Sequence, residues 1–242
     1  MASRLFSSYK SIVRTMSDAV LTTRCCLCSG PLVLIHHKPY PICDECAQTI
    51  DAAPLPRCLI CSMPLVSEHR VCTRCRNRSY EFASNYSLFV YSGTIKELIY
   101  QYKAKDIKDL ASLFAEHLAP IIHIRFPGKP VVPVPYRPVR KKKRGWDQVE
   151  CIAFELKKRF NTNVLKVLRR RNSVAQKILS YEERKTNLSG RIHVRQSFKS
   201  VPSEIVLLDD IFTTGATGDE CARVLKGFGA ETVHMVTIAI DR

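Results

Sequence analysis

An α/β fold, a parallel sheet flanked by helices behind a small cysteine-rich N-terminal module, is predicted by three observations. The first is the stretch Ile205 to Thr217, an apolar run that ends in Asp209-Asp210 and passes into a hydroxyl-rich turn containing Gly215. The second is the alternation of short apolar runs with helical periodicity from Tyr86 to Ile240. The third is the crowding of nine of the eleven cysteines between Cys25 and Cys75.

The apolar run reads as a buried parallel strand that delivers Asp209 and Asp210 to its carboxyl end, where open α/β sheets bind ligands. The turn opens a helix whose first N–H groups lack intrahelical partners and suit a phosphate. Thr213, Thr214 and Thr217 add hydroxyl donors, while Gly215 and Ala216 let the backbone approach closely. Paired carboxylates can accept from two vicinal sugar hydroxyls. The arrangement is a sugar-phosphate cradle, and it resembles the phosphoribosyl-pyrophosphate (PRPP) signature of type I phosphoribosyltransferases.

The chain has 242 residues, enough for an α/β core and a second small module. Its formal net charge of +16 points to polyanionic partners without choosing among nucleotides, pyrophosphate and nucleic acid. No apolar run is long enough to span a bilayer. Residues 1–24 carry Phe6, Tyr9, Ile12, Val13, Met16, Ala19 and Val20 at helical spacing, predicting a short amphipathic helix.

Residues 25–78 contain four Cys-x-x-Cys pairs. Cys25/Cys28 and Cys43/Cys46 enclose fourteen residues, and Cys58/Cys61 and Cys72/Cys75 enclose ten. Each pair offers two thiolates to one metal, and two pairs complete a tetrahedral four-sulfur site, so two structural zinc ions are expected. Closed sites of this kind fold a module and leave no open coordination position. Cys26 is left outside the site, His36 and His37 are assigned to a hairpin, and Cys151 and Cys221 read as small core residues.

Residues 79–242 form the α/β domain. Tyr86 to Tyr91 is strand-like, a helix runs from Ile95 to Lys103, and another covers Ile107 to Ile122. Val131 to Val134 reads as the first main strand of the phosphate-binding domain, bounded by prolines. Trp146 to Phe160 is helical, with Lys157, Lys158 and Arg159 favouring the helix dipole in the last turn. Val164 to Leu168 and Ile192 to Val194 are strands around a polar segment at 169–190. Then come the cradle strand, a helix from Thr217 to Phe228 stopped by Gly229, and a strand from Thr232 to Ile240.

Between a strand end and a helix start, Arg137 to Arg144 holds six basic residues in eight: Arg137, Arg140, Lys141, Lys142, Lys143 and Arg144. If both strands are parallel, this loop shares the cradle's edge of the sheet. Pyrophosphate binding through Arg137, Arg144 and Gly145, and nucleic-acid binding through Arg140 to Lys143 with Trp146 as a stacking platform, remain equally open readings. Lys166 and Arg169 to Arg171 add to the nucleic-acid reading. Arg184 and Asn187 lie in the polar segment that would close over the ligand, and neither Tyr181 nor His193 identifies itself as an acceptor base.

Val132-Pro133-Val134-Pro135, Arg144-Gly145-Trp146-Asp147-Gln148, Gln176, Arg184, Asn187-Leu188-Ser189-Gly190 and the cradle occur in one order. With the cysteine module ahead of them they resemble the ComF family of competence proteins, GntX-like members included. Trp146 and Asp147 depart from the Phe and Asn commoner in that family, as does the extra Cys26. The resemblance implies a type I phosphoribosyltransferase-like domain, a double zinc ribbon and a cytoplasmic role in natural transformation, with imported single-stranded DNA as substrate or partner. It also implies magnesium with PRPP, transfer of a phosphoribosyl group if the site is active, and docking of a competence helicase or other uptake protein.

Overall fold

The structure is a computed structural model and describes residues 24–32, 38–66, 70–136, 138, 144–171 and 190–241. The amphipathic helix expected over 1–24, His36 and His37, Arg137, Arg140 to Lys143, Gln176, Tyr181, Arg184 and Asn187 lie outside the described residues, apart from Arg24 at the end of that helix. Two short helices, α1 (Asp44–Gln48) and α2 (Thr73–Arg76), belong to the cysteine module. After them come β1 (Ser84–Val90), α3 (Gly93–Ala104), α4 (Leu110–Arg125), β2 (Val131–Pro133) and α5 (Gln148–Phe160). The chain continues through β3 (Leu168–Arg170), β4 (Ile192–Val194), β5 (Glu204–Phe212), α6 (Ala216–Lys226) and β6 (Thr232–Ile240).

Strands β1, β6, β5 and β2 form a wholly parallel sheet in that order. Ile205, Val206, Leu207 and Leu208 of β5 are fully buried, because successive side chains enter opposite helical layers. Val206 and Leu208 pack with Leu98, Leu113, Phe114 and Ile152 from α3, α4 and α5. Ile205 and Leu207 pack with Cys221, Ala222 and Leu225 of α6. The expected alternation of strands and helices is therefore present.

Two local expectations change. The first strand of the sheet is β1 and not Val131–Val134, since Ser84 to Val90 pairs in parallel with His234 to Ile240. The strand expected over Val164–Leu168 is reduced to one parallel bridge, Val131 with Val164. Its neighbour β2 is three residues long and ends in Pro133, which has no N–H to continue a ladder. Beyond the bridge the chain leaves the sheet, and Leu168–Arg170 pairs antiparallel with Ile192–Val194 as a separate two-stranded ribbon. Helix α5 begins at Gln148 because the Asp147 side chain accepts from the Glu150 N–H at 3.0 Å and caps it.

The cysteine module packs into the same core as the sheet. Cys25, Tyr40 and Ile42 join the α3–α4–α5 layer, and Cys58, Cys61 and Cys75 join the α6 layer with Phe82 and Phe212. Buried Asn85 on β1 stitches the second half of the module to the sheet. Its amide donates to the Cys61 carbonyl at 3.0 Å and to Ser87 Oγ at 2.9 Å, its backbone N–H donates to the Ile60 carbonyl at 2.7 Å, and Ser87 Oγ lies 2.7 Å from Thr237 Oγ1 on β6. Among the described residues no helix is long and apolar enough to cross a membrane.

Removing the Asn85 amide leaves the Cys61 carbonyl buried without its donor. Asn85→Ala is expected to cost about 1–3 kcal/mol in urea unfolding, whereas exposed Glu45→Ala should change stability by less than about 0.5 kcal/mol.

Candidate functional site

Parallel pairing fixes where the site must be. Pro133 of β2 is opposite Leu208 of β5, and the Val134 N–H donates to the Leu208 carbonyl at 2.9 Å. Both strands therefore end at one edge, where Pro135 and Tyr136 emerge beside Asp209 and Asp210. The Arg144–Asp147 segment packs on α3, where the Tyr102 hydroxyl donates to the Gln148 carbonyl at 2.7 Å and the Tyr102 ring lies 5.2 Å from Trp146.

Asp209 and Asp210 are partly buried at the end of β5, and each bends back on its own strand. Asp209 Oδ1 accepts from the Asp210 N–H at 2.8 Å, and Asp210 Oδ1 accepts from the Ile211 N–H at 2.6 Å. Asp210 Oδ2 is also paired with Lys103 Nζ at 2.6 Å. Burial raises the Asp209 carboxyl, the Asp210 charge raises it further, and the Asp210 N–H and Lys103 pull against both; the outcome is about 8. Burial likewise raises Asp147, with the charges of Glu150 and Asp210 adding to it. Asp147 and Asp209 are thus costly to ionise beside the Asp210 charge without a cation.

Thr213, Thr214 and Gly215 join β5 to α6. Gly215 is held at φ +82°, and a Cβ there would lie 2.9 Å from Phe212 Cζ and 3.0 Å from Tyr80 Cε1, so only glycine fits. Thr214 Oγ1 accepts from the Ala216 N–H at 3.4 Å, and the Asp219 N–H donates to the Gly215 carbonyl at 2.8 Å. Helix geometry leaves the remaining first-turn donors, including that of Thr217, facing outward. From the cysteine module, Arg74 Nη1 donates to the Thr213 carbonyl at 3.0 Å and the Tyr80 hydroxyl to the Thr214 carbonyl at 3.3 Å.

The structure places Asp209, Asp210, Thr213, Thr214, Gly215, Ala216 and Thr217 in one continuous stretch from β5 through the turn into α6. Arg144 and Gly145 are exposed ahead of α5. Gly190, the first described residue after the polar segment, anchors its N–H on Glu220 Oε1 of α6 at 3.1 Å. Trp146 is a correction. It is only 7% exposed, packed against Tyr102 at 5.2 Å with Lys108 Nζ 5.6 Å from its ring, so it belongs to the core under α5 and offers no face for a base. His193 is half-buried on β4 opposite Arg169, and its Nε2 is buried without a hydrogen-bond partner.

Lys103, Asp147, Arg74 and Tyr80 were missed by sequence reasoning as parts of this site. Each reaches it through a long-range contact that leaves no local pattern. A pocket lies between Pro133–Tyr136 and the β3–β4 ribbon; Lys166, Arg169, Arg170 and Arg195 outnumber Glu150 in its lining and make it basic.

The cysteines form two tetrads, Cys25/Cys28/Cys43/Cys46 and Cys58/Cys61/Cys72/Cys75, each with its sulfur atoms within 4.8 Å of one another. Cys28 Sγ lies 3.8 Å from Cys43 Sγ, and Cys61 Sγ 3.7 Å from Cys72 Sγ. A zinc ion bonded tetrahedrally to sulfur at about 2.3 Å spaces its ligands about 3.8 Å apart, so both tetrads fit zinc. Backbone N–H groups of Gly30, Cys43, Cys46 and Cys72 point at ligand sulfurs at 3.3–3.5 Å, as thiolates require. Cys26 stands outside its tetrad; burial and the adjacent Cys25 push its thiol up to about 11. Cys151 is half-buried and Cys221 fully buried, as core residues.

No protein-family model matches the chain. The chain is 28% identical over 222 residues to the DNA utilization protein YhgH of Escherichia coli O6:H1, covering 87% of this chain and 94% of that protein. It is 23% identical over 226 residues to competence protein F of Haemophilus influenzae, covering 89% and 96%. To competence protein ComFC of Streptococcus pneumoniae it is 28% identical over 156 residues, covering 64% and 67%. Among solved structures, a hypoxanthine phosphoribosyltransferase from Staphylococcus aureus overlaps 54% of this chain and 62% of its own, at TM-score 0.34 and 14% identity. That overlap adds no weight to the fold, which the parallel strand pairing establishes by itself.

Two outcomes follow from this geometry. Gly215→Ala should cost about 1–2 kcal/mol in thermal or urea unfolding, through left-handed strain and contact with Phe212. The folded state holds the Asp209 proton from about pH 4, where an unfolded Asp ionises, up to about 8. Stability therefore falls as pH rises through that window. Asp209→Asn removes this loss, so its Tm should exceed that of the unmodified protein by about 3 °C or more at pH 8, shrinking toward pH 4.5.

Proposed function

Proceeding from homology to competence protein F, ComFC and DNA utilization protein YhgH, we propose that this chain is a ComF-type protein of DNA uptake that binds a PRPP-type sugar phosphate. The observation that carries this reading is the meeting of the paired aspartates with the Thr213–Thr217 turn at the N-terminus of α6. The 5-phosphate would sit on the outward N–H groups and threonine hydroxyls, and Asp209 and Asp210 would accept from the ribose hydroxyls. To do so each carboxylate must turn from its present backbone partner.

Lys103 now neutralises Asp210 at 2.6 Å. When a dianionic ligand arrives, the same ammonium can pair with pyrophosphate oxygens, so it serves the empty and the filled site alike. Arg144, with Arg137 and the basic loop, would add positive charge on the leaving-group side. Magnesium fits a site of crowded carboxylates and would neutralise pyrophosphate charge when bound. If transfer occurs, the bond from the anomeric carbon to pyrophosphate breaks, and the carboxylates stabilise positive charge developing at that carbon. Zinc at the two tetrads would hold the fold without taking part in chemistry.

A second reading has its own observation, the basic pocket of Lys166, Arg169, Arg170 and Arg195. In it the fold serves to bind single-stranded DNA through backbone phosphates in the cytoplasm, with uptake proteins such as a competence helicase as partners. Because Trp146 is buried, such binding would rest on charge more than on stacking.

Titration with PRPP and magnesium by calorimetry tests the first reading. The unmodified protein should bind, and Asp209→Asn/Asp210→Asn should weaken binding by tenfold or more, at roughly 1.4 kcal/mol per tenfold. Equal binding by both would remove the aspartates from the site. For the second reading, single-stranded DNA affinity should fall steeply between 50 and 200 mM salt, by about tenfold or more, and Arg169→Ala/Arg170→Ala should flatten that dependence. A salt-independent affinity would contradict it.

A further inference from the structure

The second cysteine tetrad lies directly against the phosphate turn, and three consecutive turn residues touch one stretch of it. Arg74 stands inside the Cys72–Cys75 knuckle, between two metal ligands, on the short helix α2. Its Nη1 donates to the Thr213 carbonyl at 3.0 Å, and its guanidinium carbon lies 5.9 Å from the Phe212 ring centre. Five residues beyond Cys75, the Tyr80 hydroxyl donates to the Thr214 carbonyl at 3.3 Å. Its ring stacks on Phe82 at 4.6 Å and leaves no room for a Cβ on Gly215.

These contacts aim donors as well as holding acceptors. In a planar trans peptide, C=O and N–H point in opposite directions. Fixing the Thr213 carbonyl against Arg74 turns the Thr214 N–H away from the cysteine module. Fixing the Thr214 carbonyl against Tyr80 does the same for the Gly215 N–H. The two N–H groups then face the inside of the turn, where a phosphate would lie. Arg74 has a definite place because its knuckle has one, between Cys72 and Cys75. Among the described residues the first tetrad shows no such link, and its surroundings pack into the α3–α4–α5 layer through Tyr40, Ile42 and Cys25.

We propose that the second tetrad, filled by its metal, is a brace for the phosphate turn, in which Arg74 and Tyr80 orient the Thr213–Thr214 and Thr214–Gly215 peptide groups. Metal occupancy at Cys58, Cys61, Cys72 and Cys75 is thereby coupled to phosphate affinity, while occupancy at the first tetrad is not. Arg74 and Tyr80 are positioning residues that need not touch the ligand. The affinity part of the proposal rests on the sugar-phosphate reading; the ordering of the turn does not.

Hydrogen exchange on the full, zinc-loaded chain tests it, read at the amides of Ala216 and Asp219, which are bonded to Thr214 Oγ1 and the Gly215 carbonyl. Tyr80→Phe keeps the ring and removes the donor, and Arg74→Ala removes the other. Each should speed exchange at these amides by about three- to tenfold, the worth of one hydrogen bond, and weaken PRPP binding by a similar factor, with two zinc ions still bound per chain. Cys72→Ser, which loses the second metal, should reproduce the faster exchange; Cys28→Ser, which loses the first, should leave it unchanged. Unchanged exchange in both Tyr80→Phe and Arg74→Ala, or equal effects of the two cysteine variants, would overturn the brace. If the unmodified chain fails to bind PRPP, the functional reading falls and the exchange pattern still decides the brace.

Discussion

The site depends on the parallel pairing of β5 with β2 on one side and β6 on the other. Parallel strands end at the same edge, so the pairing of Pro133 with Leu208 and of Asp209 with Thr237 brings together segments far apart in sequence. An antiparallel β2 would send Pro135 and Tyr136 to the opposite edge, away from Asp209 and the threonine turn. The core enforces this arrangement. Alternate residues of β5 are buried in two different helical layers, and a slip of one residue would exchange Val206 and Leu208 with Ile205 and Leu207 and move both aspartates to the wrong faces.

Electrostatics explains why the edge is poised for a cation and an anion together. Burial and the charge of Asp210 raise the proton affinity of Asp147 and Asp209, and Lys103 pairs with Asp210 at 2.6 Å. The arrangement is costly, in contrast to the fully hydrogen-bonded buried group of Asn85, Ser87 and Thr237. Stability given up at a strand end next to outward-facing helix donors is what a ligand site requires. The neighbouring pocket sets Lys166, Arg169, Arg170 and Arg195 against a single lining carboxylate, Glu150.

What was legible in the sequence was what is encoded locally. Cys-x-x-Cys spacing announces a metal knuckle because two sulfurs three residues apart reach one ion, and both tetrads assemble as that spacing required. The apolar run, the aspartate pair and the Thr-Thr-Gly turn are contiguous, so strand, loop and helix follow in order. Lys103 was invisible because it sits in the last turn of α3, 107 residues before its partner Asp210, and looks there like an ordinary dipole-complementing lysine. Arg74 was hidden in the same way by the cysteines on either side of it, and Tyr80 lies just beyond them with no local signal of its own. Trp146 was misread because its neighbours are basic and solvated, while the ring itself fills space beneath α5 against Tyr102. Val164 to Leu168 has strand composition, yet a partner strand of three residues ending in proline cannot pair it. In each case tertiary context overrode a correct local preference.

The central claim is that the edge formed by β5, the threonine turn and α6 holds a sugar phosphate. A crystal structure of the zinc-loaded chain soaked with ribose 5-phosphate and magnesium tests it most directly. The account predicts the phosphate on the Thr214–Thr217 amides and hydroxyls, with the ribose hydroxyls toward Asp209 and Asp210 and their present backbone bonds released. A phosphate bound instead among Lys166, Arg169 and Arg170, with the threonine turn empty and both aspartates unmoved, would contradict it.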